Sequence, residues 1–291
     1  MKKRTVILTA ILICLTSSLS ARGAQRHIEK SFNINAGGTL TLDTDLGTVE
    51  ISTHPENTVQ VNVDVVVDSS NSRKDKEMLD DMKLTFNNSG TELTVRGRLN
   101  QAWSWRSNRL RARFQIKVPD KFNLNVNTAG GHLSVSHITG RLNLHTSGGR
   151  IMLGNISGDV KAATSGGSIK IGEVNGNLDV RTSGGRIDIE GVMGNLNAHT
   201  SGGSIEARLL QQTSKPVKLS TSGGNIRLAV PADFKADLEA STSGGSIYTD
   251  FPVVVTGRVS TSSLHGPING GGPPVELHTS GGNIEIAKGA R

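Results

Sequence analysis

The sequence predicts an all-β fold: a single-chain β-solenoid (β-helix) of about nine coils with an 18-residue period, preceded by a β-rich N-terminal section containing one short helix. Three observations carry this. First, the motif Thr-(Ser/Ala)-Gly-Gly-x-(Ile/Leu) begins at Thr128, Thr146, Thr164, Thr182, Thr200, Thr221, Thr242 and Thr279, the first five at a constant spacing of 18 residues. The next two intervals are 21 and the last is 37, which splits around a degenerate copy at Thr261-Ser-Ser-Leu-His-Gly-Pro-Ile268. Fixed-period self-similarity of this kind marks a stack of repeats. Second, aliphatic and polar residues alternate on both sides of the motif. Third, 35 glycines stand against six Phe, two Trp and one Tyr, a composition for stacked aliphatics with glycine corners rather than an aromatic-filled globule.

Each coil is built from two short strands. Two residues after the glycine pair stand Leu133, Ile151, Ile169, Ile187, Ile205, Ile226, Ile247 and Ile284, and two further on Val135, Leu153, Ile171, Ile189, Ala207, Leu228, Thr249 and Ile286. The positions between them are polar or variable, the period of two of a strand with one buried face. Before the motif the alternation repeats, as in Leu142/Leu144 and Leu178/Val180. The corner glycines are the pairs Gly130/Gly131, Gly148/Gly149, Gly166/Gly167, Gly184/Gly185, Gly202/Gly203, Gly223/Gly224, Gly244/Gly245 and Gly281/Gly282. Glycine there serves either positive φ or a close backbone approach. The repeated Thr is expected to form a ladder up the stack with its hydroxyl bridging coils.

The chain divides into a leader over 1–24, a capping section over 25–126 and the repeat solenoid over 127–291. Met1-Lys-Lys-Arg4, an apolar run to Leu19 and the small and polar residues of 20–24 read as a secretory signal peptide, cleaved after Gly23 or Ala24. The only cysteine, Cys14, lies in the apolar run and follows Ile13, not the small residue of a lipoprotein signal. The exported chain then has no cysteine, hence no disulfide and no thiolate chemistry. Loss of Lys2, Lys3, Arg4 and Arg22 lowers the formal charge from +7 to +3, which argues against nucleic-acid binding. Within 25–126, Thr39 to Ile51 reads as a worn coil and Val59 to Val67 as a strand. Ser72-Arg-Lys-Asp75 reads as a capping box opening a helix with Met78, Leu79 and Met82 on its apolar side.

The Gly-Gly-x-Ile-x-Ile and Gly-x-Leu-x-Val-x-Thr-Ser-Gly-Gly repeats, with a strand ending in Val118-Pro119 and the phrase Phe122-Asn-Leu-Asn-Val126, resemble the bacterial putative-adhesin domain family. The resemblance spans most of the chain. It implies an exported β-helix-like domain of unknown function and carries over no catalytic residue.

Other chemistries fit less well. Hexapeptide acyltransferases need an aliphatic every six positions, whereas the inward residues of one coil are Ile151, Leu153, Ile156, Val160 and Ala162, unequally spaced. Calcium β-rolls need an acid after the glycines, where this chain has His132, Arg150, Ser168, Arg186, Ser204, Asn225, Ser246 and Asn283. His145, His199 and His278 share a column, but the first two are three coils apart, about 14 Å, too far to share a zinc ion. No base recurs beside the motif serines, and the acids fall in different columns rather than as an opposed pair. The expectation is therefore no enzyme, no catalytic residue, no metal and no cofactor.

One cluster has chemical character: Trp103, Trp105, Arg106, Arg109, Arg111 and Arg113. It reads either as a stacking and anion-binding surface platform or as a cap in which both Trp pack over the first coil and the arginines form a solvated strand face. The expected role is an exported cell-envelope structural or adhesin-like protein, in the periplasm or at the cell surface, meeting a glycan or protein of the envelope. A carbohydrate-active enzyme and an envelope signalling or stress-linked factor are the alternatives. At the C-terminus the intact copy Thr279 to Ile286 is expected to form the exposed last coil. Only Lys288 and Arg291 then guard its edge, leaving end-to-end self-association open.

Overall fold

The computed structural model describes residues 14–16, 19–20, 23–67, 72–99, 110–253 and 260–289. Two long sheets, one of 16 strands and one of 12, face each other across an aliphatic core. Among the described residues ten strand pairs, one strand from each sheet, stack as coils. Identical columns meet in register: Leu178 opposite Leu196, Thr182 opposite Thr200, Ile187 opposite Ile205. A one-residue slip would turn every aliphatic outward, so the alternation fixes this register. The two inward columns after the glycines are buried in every copy except at Ile247 and Thr249, in the outermost coil. In the coils over 123–192 the connector adds a third rung, with Ile138, Ile156, Val174 and Val192 pointing inward.

Coil order departs from chain order at both ends. Thr39–Thr44 and Thr48–His54 form the expected worn coil, with Thr44 opposite Thr128. The chain then leaves the stack through strand Thr58–Val67, helix Ser72–Asp81 and strand Met82–Asn88. It returns as Glu92–Leu99 and Leu110–Pro119, which pair parallel to the far side of the Thr44 coil and add one more coil beyond it. Antiparallel strands close this end: Met82–Asn88 on one sheet, Thr58–Val67 and Gly23–Asn33 on the other. Met78 and Leu79 pack the helix inward as expected. Met82 is buried too, but opens the following strand rather than continuing the helix.

At the other end the last motif copy is not the last coil. Pro274–Thr279 and Ile284–Lys288 lie between the coil of Val217–Thr221 and Ile226–Val230 and that of Ala236–Thr242 and Ile247–Thr249. This corrects the expectation of an exposed Thr279 coil. The degenerate copy is corrected as well: Ser263–Ile268 is an antiparallel cap on Ala236–Thr242. It carries Leu264 where every intact motif copy has its second glycine, and a side chain there would meet the backbone of the neighbouring coil. On the other sheet the final strand, Ile247–Thr249, has only three residues, and Ile247 N donates to Thr261 O at 2.9 Å. Short, capped edges of this sort limit strand addition. No helix among the described residues is long and apolar enough to cross a membrane.

Candidate functional site: coil corners and outward columns

The sequence treats both members of each glycine pair alike, and the structure separates them. A Cβ on Gly185 would stand 2.0 Å from the Gly167 carbonyl oxygen, and the same holds up the stack for Gly149 against Gly131, Gly203 against Gly185 and Gly224 against Gly203. On Gly184, a Cβ would meet the Gly166 oxygen at 3.4 Å, an ordinary contact, and on Gly130 or Gly148 it would meet nothing within 4 Å. Of the second glycines only Gly131 has a φ in the left-handed region, +116°. Of the two roles expected for these glycines, it is close approach between coils, not backbone conformation, that requires glycine at Gly149, Gly167, Gly185, Gly203, Gly224, Gly245 and Gly282. A correction follows from the inserted coil. Gly282 stacks on the Gly224 carbonyl and Gly245 on that of Gly282, so Gly245 does not meet Gly224 as chain order implies.

The motif threonine locks the same spot. Thr182 Oγ1 donates to Gly167 O of the preceding coil at 2.8 Å and accepts from Gly185 N at 3.4 Å. Thr164, Thr200, Thr221 and Thr279 repeat the arrangement, with donor distances of 2.8 to 2.9 Å. The hydroxyls thus bridge coils through backbone carbonyls rather than through one another. Thr182 is buried while Ser183 beside it is exposed. Thr182→Val keeps the shape but strands two backbone groups, and should lower stability by about 1–3 kcal/mol in chemical denaturation. Ser183→Ala should change it by less than about 0.5 kcal/mol.

What the rod presents is set by the columns between the inward ones. On the 12-stranded sheet one column runs Asn125, Asn143, Lys161, Asp179, Asn197, Lys218, Glu276, Glu239. Neighbours in it bond directly: Asn143 Nδ2 to Asn125 Oδ1 at 3.2 Å, Asn197 Nδ2 to Asp179 Oδ1 at 3.1 Å and Lys218 Nζ to Glu276 Oε2 at 2.6 Å. The Glu276 hydrogen bond and charge raise the Lys218 pKa. Asp159 is held below the usual carboxylate range chiefly by the Asn177 backbone N–H, helped by the Asn177 side chain against a smaller opposing effect of burial. For Asp43 burial works against ionisation, yet hydrogen bonds from Arg98 and Asn127 and the charges of Arg98 and Arg96 outweigh it and lower the pKa.

The adjacent column carries the histidines. Because the last copy is inserted, its order is Arg181, His199, Ser220, His278, Ser241. His199 Nδ1 lies 2.8 Å from Ser220 Oγ, and His278 Nδ1 lies 2.9 Å from Ser241 Oγ. Chain order hides the second pair, since Ser241 and His278 are 37 residues apart and the degenerate copy stands between them in sequence. No third group orients either imidazole among the described residues, and both pairs sit on an open strand face, short of the arrangement nucleophilic catalysis needs. No group of three or more ligating side chains that could hold a metal ion occurs among the described residues.

On the 16-stranded sheet the outward column is Asn62, Gln115, Glu50, Ser134, Met152, Lys170, Asp188, Glu206, Arg227, Glu285, Tyr248. Of the Trp/Arg cluster, Trp103, Trp105, Arg106 and Arg109 lie outside the described residues. Arg111 and Arg113 are exposed on Leu110–Pro119, and Arg113 grips Glu50 through both carboxylate oxygens at 2.7 and 2.9 Å. Arg113 is thereby engaged with a neighbouring strand.

Beside this column lies an open groove of about 670 Å³, which sequence reasoning missed because its lining comes from Thr48–His54, Thr58–Val67, Leu110–Pro119 and four repeat coils. Its members include Ser52, Ser134, Ser136, Asn155, Lys117 and Met152. One residue past the inward positions 135, 153 and 171, Ser136, Gly154 and Gly172 leave a trough of small side chains along the rod.

Among solved structures the chain is similar to a putative lipid binding protein from Parabacteroides distasonis (15% identity, 89% of this chain and 96% of that one, TM-score 0.48). It is also similar to a putative adhesin from Parabacteroides merdae (12%, 89% and 95%, TM-score 0.39) and one from Bacteroides fragilis (12%, 90% and 96%, TM-score 0.34). No curated protein matches the sequence. The family model described as Toastrack DUF4097 matches residues 39–287, from the first strand of the Thr44 coil to the last strand of the chain. With nearly all of the stack inside that match, the chain belongs to the Toastrack DUF4097 family.

Proposed function

We propose that this protein is an exported envelope scaffold with an adhesin-like role: a rigid rod that displays side chains to an envelope component and performs no reaction. The observation that carries the reading is the in-register stacking of the outward columns. Parallel pairing fixes each exposed polar side chain at a rung spacing of about 4.8 Å from its neighbours. A surface so ordered loses little freedom on binding an extended partner. The residues of 1–24 support export, to the periplasm or the cell surface, through their charged, apolar and small-residue segments.

Purified protein should bind isolated cell envelopes saturably and release no soluble sugar or peptide from them. Absence of saturable binding, or accumulation of cleavage products, would contradict the reading.

A further inference from the structure

We infer that the groove beside the Met152 column is a binding site for a linear, uronate-bearing polysaccharide, an inference that rests on the scaffold reading and names its partner. The groove crosses the strands rather than following one, so it offers no open backbone edge. An extended peptide that binds by strand addition needs such an edge. What the groove offers instead is side-chain hydrogen bonding. The hydroxyls of Ser52, Ser134 and Ser136 have no protein partner among the described residues, and the Asn155 side-chain amide donates to none. Asn62 lines its end and adds a further amide-bearing side chain to the wall. Met152, 40% exposed, gives a sugar ring an apolar surface for its C–H face.

Charge selects among polysaccharides. The carboxylates lining the groove are already held, Glu50 by Arg113 at 2.7 Å and Glu190 by Lys170 at 3.3 Å. Lys117 has no ion pair among the described residues and is the uncompensated charge of the lining. An ammonium group at one end of a trough of hydroxyls and amides fits a carboxylate on an otherwise neutral, polyhydroxylated chain.

The test is titration of purified protein with oligogalacturonides and with neutral cello-oligosaccharides of equal length. Oligogalacturonides should bind saturably and at least tenfold more tightly than the neutral chains. Met152→Glu and Lys117→Glu should each weaken that binding at least tenfold without altering the circular dichroism spectrum or the melting temperature, while Lys161→Glu, on the other sheet, leaves it unchanged. No oligogalacturonide binding, neutral chains bound as tightly, or equal loss in Lys161→Glu would overturn the assignment. The same variants applied to isolated envelopes separate the two levels. Undiminished binding by Lys117→Glu and Met152→Glu would sink the groove alone, whereas failure of the unmodified protein to bind would sink the scaffold reading.

Discussion

Gly185→Ala should destabilise the protein by about 3 kcal/mol or more, whereas Gly184→Ala should change stability by less than about 0.5 kcal/mol. The two residues are adjacent, share the motif and are equally glycine. They differ in what a methyl group would meet. At Gly185 it meets the Gly167 backbone of the preceding coil, oxygen at 2.0 Å and carbon at 2.4 Å, neither of which can rotate away. Relief requires the coils to separate, which stretches the Thr182 to Gly167 bond and the ladder on both sides of the corner. At Gly184 the methyl group projects to an exposed corner with its nearest contact at 3.4 Å. Against a total stability of about 5–15 kcal/mol, the first change is large and the second is within surface tolerance. Urea denaturation of both variants decides it, and equal losses would mean that backbone conformation rather than coil spacing demands the glycines.

Removal of residues 274–291 should unfold the whole region beyond Val230, not simply shorten the rod by one coil. Among the described residues the deleted strands are the only parallel partners joining the Ala236–Thr249 coil to the stack. They bury Val275, Leu277, Ile284 and Ile286, each worth about 1.5–3 kcal/mol. Loss on this scale exceeds what one coil and a cap strand can replace, while the central coils, held by nearest neighbours, persist. Limited proteolysis should cut within 231–273 and spare 123–230. Light scattering should show concentration-dependent association through the uncovered Val217–Thr221 and Ile226–Val230 edges. A monomeric truncation with 236–268 protected would contradict the inserted position of the last coil.

The coil itself was legible in the sequence because its determinants are local and repeated. Alternation around the motif names the inward columns, and the constant spacing stacks Thr182 on Thr200 and Ile187 on Ile205. Coil order was not legible at the ends, where chain order and stack order part. Nothing local in Thr279 to Ile286 distinguishes an inserted coil from a terminal one, since both present the same columns. The degenerate copy did carry a signal, Leu264 in place of the second glycine, which forbids coil stacking once the close approach at Gly185 is known. The consequences of insertion were hidden with it: the Ser220 and His278 neighbourhood and the ion pairs Lys218–Glu276 and Arg227–Glu285 join residues 58 apart. The groove was likewise beyond reach, because Asn62, Lys117 and Met152 meet only through the excursion that places Leu110–Pro119 outside the Thr44 coil.

The stack order is the central claim, and one cross-linking comparison tests it directly. In a Cys14→Ser background, Ser220→Cys with His278→Cys places two cysteines opposite each other on adjacent strands. Ser220→Cys with Ser241→Cys places them two rungs apart, about 9.6 Å, beyond the reach of a disulfide. Mild oxidation should close an intramolecular disulfide in the first variant and none in the second. Closure in the Ser220/Ser241 variant without closure in the Ser220/His278 variant would mean that the coils follow chain order and that the inserted coil is wrong.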